Sequence, residues 1–173
     1  MPRIPVSLVL EYPPAPPASS AAHFLEALSR STDPSDVHGD FERGGARFLL
    51  LDARSREAFV RGHVPGAVNL HHRSIDAETA SRFAKDVPIV TYCDGVHCNA
   101  STKAAAKLAA LGFAVKEMIG GFDGWIREGY DVETGRGEEI ATAGVAVEAT
   151  RNVAADASGN VAAEATGNVR CGC

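Results

Sequence analysis

The sequence predicts an α/β fold: a central parallel β-sheet flanked by helices on both faces, with an N-terminal helical extension and a low-complexity C-terminal tail. Three observations carry this. Residues 48–51 and 89–92 are short unbroken apolar runs, the pattern of strands buried on both faces. Segments with helical spacing lie between such runs, and strands alternating with helices build a parallel sheet covered on both sides. The length of 173 residues, with 45% hydrophobic and 23% charged residues, suits one globular domain plus a tail and is cramped for two.

The elements follow in order. Residues 11–17 are rich in proline, whose ring and missing N–H oppose helix, so they read as an arm. From Ser20 onward, Phe24, Leu25 and Leu28 fall at helical spacing. Asp33-Pro34 is an N-cap followed by proline at the first helical position, opening a second helix with Val37 and Phe41 on its buried face. The run 48–51 is a strand ending at Asp52. A short helix from Ser55 stops at Gly62, residues 67–70 form a brief strand, and an amphipathic helix is expected over 74–85. The run 89–92 ends at Cys93. A polar loop leads to an alanine-rich helix over 100–111, with Gly112 just past its end. Residues 114–119 return as a strand, Gly120-Gly121 turns the chain, and residues 122–128 form a last short helix carrying Trp125.

The organisation is therefore an arm and helix over 1–32, a folded domain over 33–135, and a tail over 136–173. Beyond Tyr130 there is no aromatic residue and no leucine. The tail repeats in units of eight starting at Ile140, Glu148, Asp156 and Glu164. One recurrent valine per unit buries too little to offset an ordering cost of about 1–2 kcal/mol per residue, so disorder is expected there.

Seventeen Lys and Arg against 22 Asp and Glu give a net charge of −5, which argues against nucleic acid or an anionic membrane as partner. No apolar run reaches the roughly 18–20 residues of a membrane span. The apolar stretch 6–10 is shorter than the about 7–15 residues of a secretory signal, so the cytoplasm is expected. Four cysteines come as two close pairs, Cys93 with Cys98 and Cys171 with Cys173. In a reducing compartment such pairs point to reactive thiols or metal before structural bridges. Cys171-Gly172-Cys173 falls short of the four ligands of structural zinc, so no metal is assigned.

Ligands of parallel sheets bind at the carboxyl ends of the strands. Asp52 and Cys93 both stand there, which predicts one site containing both. A cysteine between a strand and a helix meets unpaired N–H groups and the positive end of the dipole, which favour thiolate. Asp94-Gly95 permits a tight turn whose amides form an anion-binding nest. The polar neighbours Asp94, His97 and Asn99 argue against Cys93 as a merely buried small residue.

These residues carry a resemblance. Leu51-Asp52-Ala53-Arg54 with Glu57 and Phe59, then Gly62-His63-Val64-Pro65-Gly66-Ala67 with Asn69, then Val90-Thr91-Tyr92-Cys93, and finally Gly112-Phe113 and Gly120-Gly121-Phe122-Asp123-Gly124-Trp125 resemble a rhodanese domain over about 33–132. The resemblance implies a sulfurtransferase. The Cys93 thiolate would take the outer sulfur of a donor such as thiosulfate or a persulfide, hold it as a persulfide, and pass it to cyanide or a thiol, protein thiols included. It implies no metal or organic cofactor. Asp94, Gly95, Val96, His97, Cys98 and Asn99 would form the substrate-binding loop.

Two departures from that family stand out. Its usual Cys-x-x-Gly-x-Arg loop has no arginine here, and the loop is about two residues longer. A longer loop resembles phosphatase relatives with Cys-x5-Arg, but Asn99 stands where the arginine would, so the fork that grips phosphate is missing. Phosphatase activity is not expected, and thiosulfate is expected to be a poor donor, with His97 compensating in part. Asp52 and Arg54 read as an ion pair fixing the strand end, with Asp52 also lining the pocket. His63 reads as a turn-packing residue, His71-His72 as surface, and Cys98 as loop packing with a partner role for Cys93 as the alternative. The rival to an enzyme is a non-catalytic rhodanese-like module for redox sensing or interaction, switched by Cys93 and Cys98.

Overall fold

The computed structural model describes residues 7–136. Helix α1 (Pro17–Arg30) starts three residues before the expected Ser20, because proline at the first position gives up a donor that has no intrahelical partner. Its helical spacing does not mark a core face: Phe24, Leu25 and Leu28 are exposed. The chain then enters β1 (Ser31–Thr32), a strand too short to leave a periodic signal. The sheet thus begins two residues before the expected domain start at 33.

Asp33 caps α2 (Pro34–Glu42), its side chain accepting the Asp36 N–H at 2.9 Å. The central apolar run is β2 (Leu49–Asp52), followed by α3 (Arg56–Arg61), which Ser55 caps and Gly62 ends. After β3 (Val68–Asn69) the expected amphipathic helix over 74–85 does not form. A 3₁₀ turn (His72–Ser74) and extended Ile75 lead instead into a single turn, α4 (Ala77–Ala80). The reason is a local competitor. Asp76 and Thr79 exchange side-chain bonds with each other's backbone N–H groups, a capping box that restarts the helix inside the window. The remaining elements match the reading closely: β4 (Ile89–Tyr92), α5 (Ala100–Ala110), β5 (Val115–Met118) and α6 (Gly121–Arg127).

All five strands pair parallel in the order β1-β5-β4-β2-β3. The pleat sends Leu51 and Ile89 to one face, against Ala104 and Leu108 of α5. Leu50, Val90 and Tyr92 go to the other, against Val37 of α2, Phe59 of α3 and Trp125 of α6. Each such apolar side chain, fully buried, contributes about 1.5–3 kcal/mol. From β2 the chain first adds β3 on one side, then crosses to β4 and β5 on the other, so the sheet changes direction between β2 and β4. That switch point is where Asp52 and Tyr92 stand in register.

Past Tyr130 the chain folds back. Glu133 and His63 exchange backbone hydrogen bonds, and the Gly135 N–H reaches the Val60 carbonyl at 2.9 Å. The octad repeat and Cys171-Gly172-Cys173 lie outside the described residues. Among the described residues, no helix is long and apolar enough to cross a membrane.

Candidate active site

Two neighbouring elements grip the backbone around Cys93. The Cys93 carbonyl accepts the Phe122 N–H at 2.8 Å and the Asp94 carbonyl accepts the Asp123 N–H at 2.7 Å, so the free donors at the start of α6 are spent on this loop. That close approach explains the Gly-Gly turn. Gly121 has φ +57°, and a Cβ there would run into the Cys93 carbonyl. On the other side, the Thr91 hydroxyl donates to the Ser101 carbonyl at 3.2 Å and ties the strand to the start of α5.

The sulfur itself is 2% exposed as part of Cys93 and faces mostly acceptors. Sγ lies 3.1 Å from the Cys98 carbonyl, 3.9 Å from the Gly95 carbonyl and 3.1 Å from Ser101 Oγ. Ser101 Oγ in turn donates to Glu117 Oε1 at 2.6 Å, and Thr102 Oγ1 donates to the same oxygen at 2.9 Å. Burial pushes the Cys93 thiol up, the Ser101 hydroxyl and amide pull it back in part, and neighbouring Cys98 raises it again; the net direction is upward. The direction is opposite to the thiolate expected from a loop of amides, because burial outweighs the Ser101 hydroxyl and amide. The long loop inserts a turn closed by the Cys98 N–H on the Gly95 carbonyl at 2.9 Å, and α5 starts only at Ala100. Two loop carbonyls therefore meet the sulfur beside the Ser101 hydroxyl and amide.

Beside the thiol opens a cavity of about 470 Å³. Gly95, Val96, His97, Cys98 and Asn99 line it from the loop, Ser101 and Thr102 from α5, and residues 117–121 from the end of β5. Val96, His97 and Asn99 are exposed, whereas Cys98 is half-buried and packs against the core on the α5 face. Asp94 does not line the cavity. Its carboxylate turns to Arg54, with Nη1 to Oδ1 at 3.4 Å. Glu117 escaped the sequence reading. Its signal was faint: a lone acid inside the strand expected over 114–119, whose facing is known only once β5 is set against β4.

The end of β2 is closed. Asp52 is fully buried, and Arg54 clasps it with Nη2 to Oδ2 at 2.6 Å and Nε to Oδ1 at 3.0 Å. Nη2 also donates to the Gly62 carbonyl at 2.7 Å, and the guanidinium lies 4.2 Å from the centre of the Phe122 ring. Burial works against the Arg54 charge, but the hydrogen bond and charge of Asp52 outweigh it and hold the guanidinium above its ordinary value. Asn69 Nδ2 binds the Asp52 and Arg54 carbonyls, both at 3.0 Å. The pair fixes the strand end, and the expectation that Asp52 lines the pocket with Cys93 is overturned: Asp52 is fully buried, is clasped by Arg54 and is not among the residues that line the cavity. His63 is buried away from the cavity. Its ring stacks on Phe59 at 3.6 Å, and Nδ1 lies 2.8 Å from the Phe59 carbonyl. Neither His71 nor His72 lines the cavity. Among the described residues, no group of three or more His, Cys, Asp or Glu is placed to hold a metal ion.

The sequence profile of the family described as "Rhodanese-like domain" matches residues 33–128. A thiosulfate sulfurtransferase GlpE of Pseudomonas syringae is 39% identical over 90 residues, covering 51% of this chain and 81% of the relative. An HTH-type transcriptional regulator, Rv0324 of Mycobacterium tuberculosis, is 33% identical over 96 residues, but that match spans only 41% of the regulator. Among solved structures, the BH2092 protein of Bacillus halodurans superposes with a TM-score of 0.67 at 39% identity, covering 69% of this chain and 87% of the other.

Proposed function

The chain belongs to the rhodanese-like domain family, and from that membership we propose that it is a sulfurtransferase working through a persulfide on Cys93. The observation that carries this reading is the placement of the Cys93 thiol just past the end of β4, beside a cavity of about 470 Å³. The Cys93 thiolate attacks the outer sulfur of the donor. The donor's S–S bond breaks and its inner group leaves with the electron pair. A thiol acceptor, free or on a protein, then attacks the outer sulfur of the Cys93 persulfide, and Cys93 leaves as thiolate. Splitting the transfer in two lets donor and acceptor use one cavity in turn. No oxidant is needed, because the sulfur passes between partners at the same level.

The donor is a persulfide in preference to thiosulfate. Among the described residues no arginine or lysine lines the cavity, and Glu117 does. A dianion is repelled there about twice as strongly as a monoanion, since Coulomb energy scales with charge. The GlpE relatives bear the name thiosulfate sulfurtransferase, so thiosulfate remains the donor against which this preference is measured. A reducing compartment, the cytoplasm, suits a mechanism that needs Cys93 free, and a net charge of −5 suits small sulfur compounds and protein thiols as partners rather than nucleic acid.

The test is the intact mass of the protein after incubation with thiosulfate or with an alkyl persulfide, followed by peptide mapping. One added sulfur on Cys93, absent in Cys93→Ser and present in Cys98→Ser, is expected. Failure of Cys93 to gain sulfur from either donor in a folded protein overturns the reading.

A further inference from the structure

The hydroxyl of Ser101 stands between two groups that both want its one proton. On one side is Cys93 Sγ at 3.1 Å, on the other Glu117 Oε1 at 2.6 Å. An ionised carboxylate is the stronger and nearer acceptor, so the proton goes to Glu117. Ser101 then offers Cys93 little of that proton. The Cys98 and Gly95 carbonyls, at 3.1 Å and 3.9 Å, have none to offer. The hydroxyl proton that would steady a thiolate or bind an incoming anion is thus drawn from the sulfur by one carboxylate, itself on the cavity wall, and the Ser101 amide is the donor left.

We propose that Glu117 is the specificity-determining residue of this cavity: by its own charge and by holding the Ser101 proton away from Cys93, it turns the site against dianionic sulfur donors and toward donors of lower charge. The inference rests on the sulfurtransferase reading and names the residue behind the donor preference. Ser101 is the positioning residue through which Glu117 reaches the sulfur.

Among the described residues, the side chains around Cys93 bring no lysine or arginine to the cavity wall to offset this carboxylate. From the loop come Cys98, the exposed His97 at the rim, and Asp94, which is engaged by Arg54. From α5 come the hydroxyls of Ser101 and Thr102, both given to Glu117. From α6 comes Asp123, whose carboxylate sits where a side chain on Gly95 would lie, adding a second negative charge near the loop. The upward displacement of the Cys93 thiol comes first from burial, and the Ser101 hydroxyl and amide offset it only in part.

The experiment uses the full chain and three variants, Glu117→Gln, Glu117→Ala and Ser101→Ala, with two readouts. The first is the Cys93 titration, followed by iodoacetamide alkylation of the Cys93 peptide from pH 6 to 11. The second is the ratio of kcat/KM for thiosulfate to that for an alkyl persulfide. Glu117 is half-buried on a cavity wall, so both of its variants leave the core packing in place. Glu117→Ala frees the Ser101 proton and removes the charge, so the titration is expected to fall by about one pH unit and the donor ratio to rise about tenfold. Glu117→Gln, which keeps the shape and removes the charge, moves the ratio in the same direction. Ser101→Ala leaves the carboxylate, so the donor ratio is expected to hold within about twofold and the titration to move little. A Ser101→Ala titration that rises by a full unit shows that serine already donates to sulfur in the parent and overturns the inference. An unchanged donor ratio in both Glu117 variants overturns it whatever the titration does. If Cys93 of the parent takes sulfur from no donor, it is the sulfurtransferase reading beneath that falls.

Discussion

Strands β2 and β4 run side by side, in register, and end at the same edge of the sheet, yet their ends do opposite things. The β2 end is saturated: Asp52 has its counter-charge, and the Arg54 guanidinium bonds Asp52 and the Gly62 carbonyl and approaches Asp94. The β4 end is less fully satisfied: Cys93 sits among two carbonyls, the Ser101 amide and a serine hydroxyl whose proton is drawn to Glu117. The difference teaches where chemistry is kept. A saturated end has no capacity left for a ligand and serves as an anchor, whereas an unsatisfied end beside a cavity retains reactivity.

The contrast can be broken from either side, and the largest effect is expected on the reactive one. Cys93→Ser should reduce sulfur transfer to the uncatalysed background with an unchanged circular dichroism spectrum, while Cys98→Ser keeps a substantial fraction of the activity. Equal loss in both would mean that the two thiols act as a unit.

On the saturated side, Arg54→Met strands the Asp52 carboxylate in the core. Removing one partner of a buried pair costs about 3–5 kcal/mol, measurable as a lower urea midpoint. Replacing both partners, Asp52→Leu with Arg54→Met, should recover much of that loss, because the stranded charge is gone. No recovery in the double variant would show that Asn69 and the Gly62 carbonyl depend on the pair for more than charge balance.

Gly121→Ala tests the bridge between the two ends. A side chain at φ +57° is strained by about 1–3 kcal/mol, and here it also presses on the Cys93 carbonyl. Lower thermal stability together with slower sulfur uptake is expected. Stability loss alone would show that the position of the carbonyl does not matter to the thiol.

Smaller effects come from charge. Asn99→Arg adds a cation at the cavity and should raise kcat/KM for thiosulfate about tenfold, with little change for an alkyl persulfide. The pH dependence follows from the raised Cys93 thiol. Thiolate is the nucleophile, so transfer should climb through neutral pH and level off only above the ordinary thiol value of about 8.5. The linkage has the matching sign. Because the folded state favours the neutral thiol, its contribution to stability is complete below the ordinary thiol range and is lost as pH rises through the folded value, so urea midpoints should fall at alkaline pH in the parent and less in Cys93→Ser.

What the amino-acid order determined by itself were features set by neighbours within a few positions. Asp33 and Ser55 cap helices because their side chains reach an N–H three residues on. Arg54 finds Asp52 because two positions separate them at a strand end. Unbroken apolar runs marked β2 and β4 as central strands, and the position of Cys93 just past the second run followed from that. The departures from expectation depend on competition or on distance. The helix expected over 74–85 gave way to the Asp76–Thr79 capping box, which a periodicity count does not weigh. The two residues of β1 form a strand only because β5 offers them an edge. The site was decided last. Parallel register sets Glu117 beside Thr91, α5 lays Ser101 between Glu117 and the sulfur, and the 95–98 turn brings two carbonyls to the sulfur. Cys93, Ser101 and Glu117 are separated by 8 and 16 positions, so no local pattern links them. They meet because burying both faces of the sheet leaves each strand one pairing register, and the charge around the thiol is a consequence of that register.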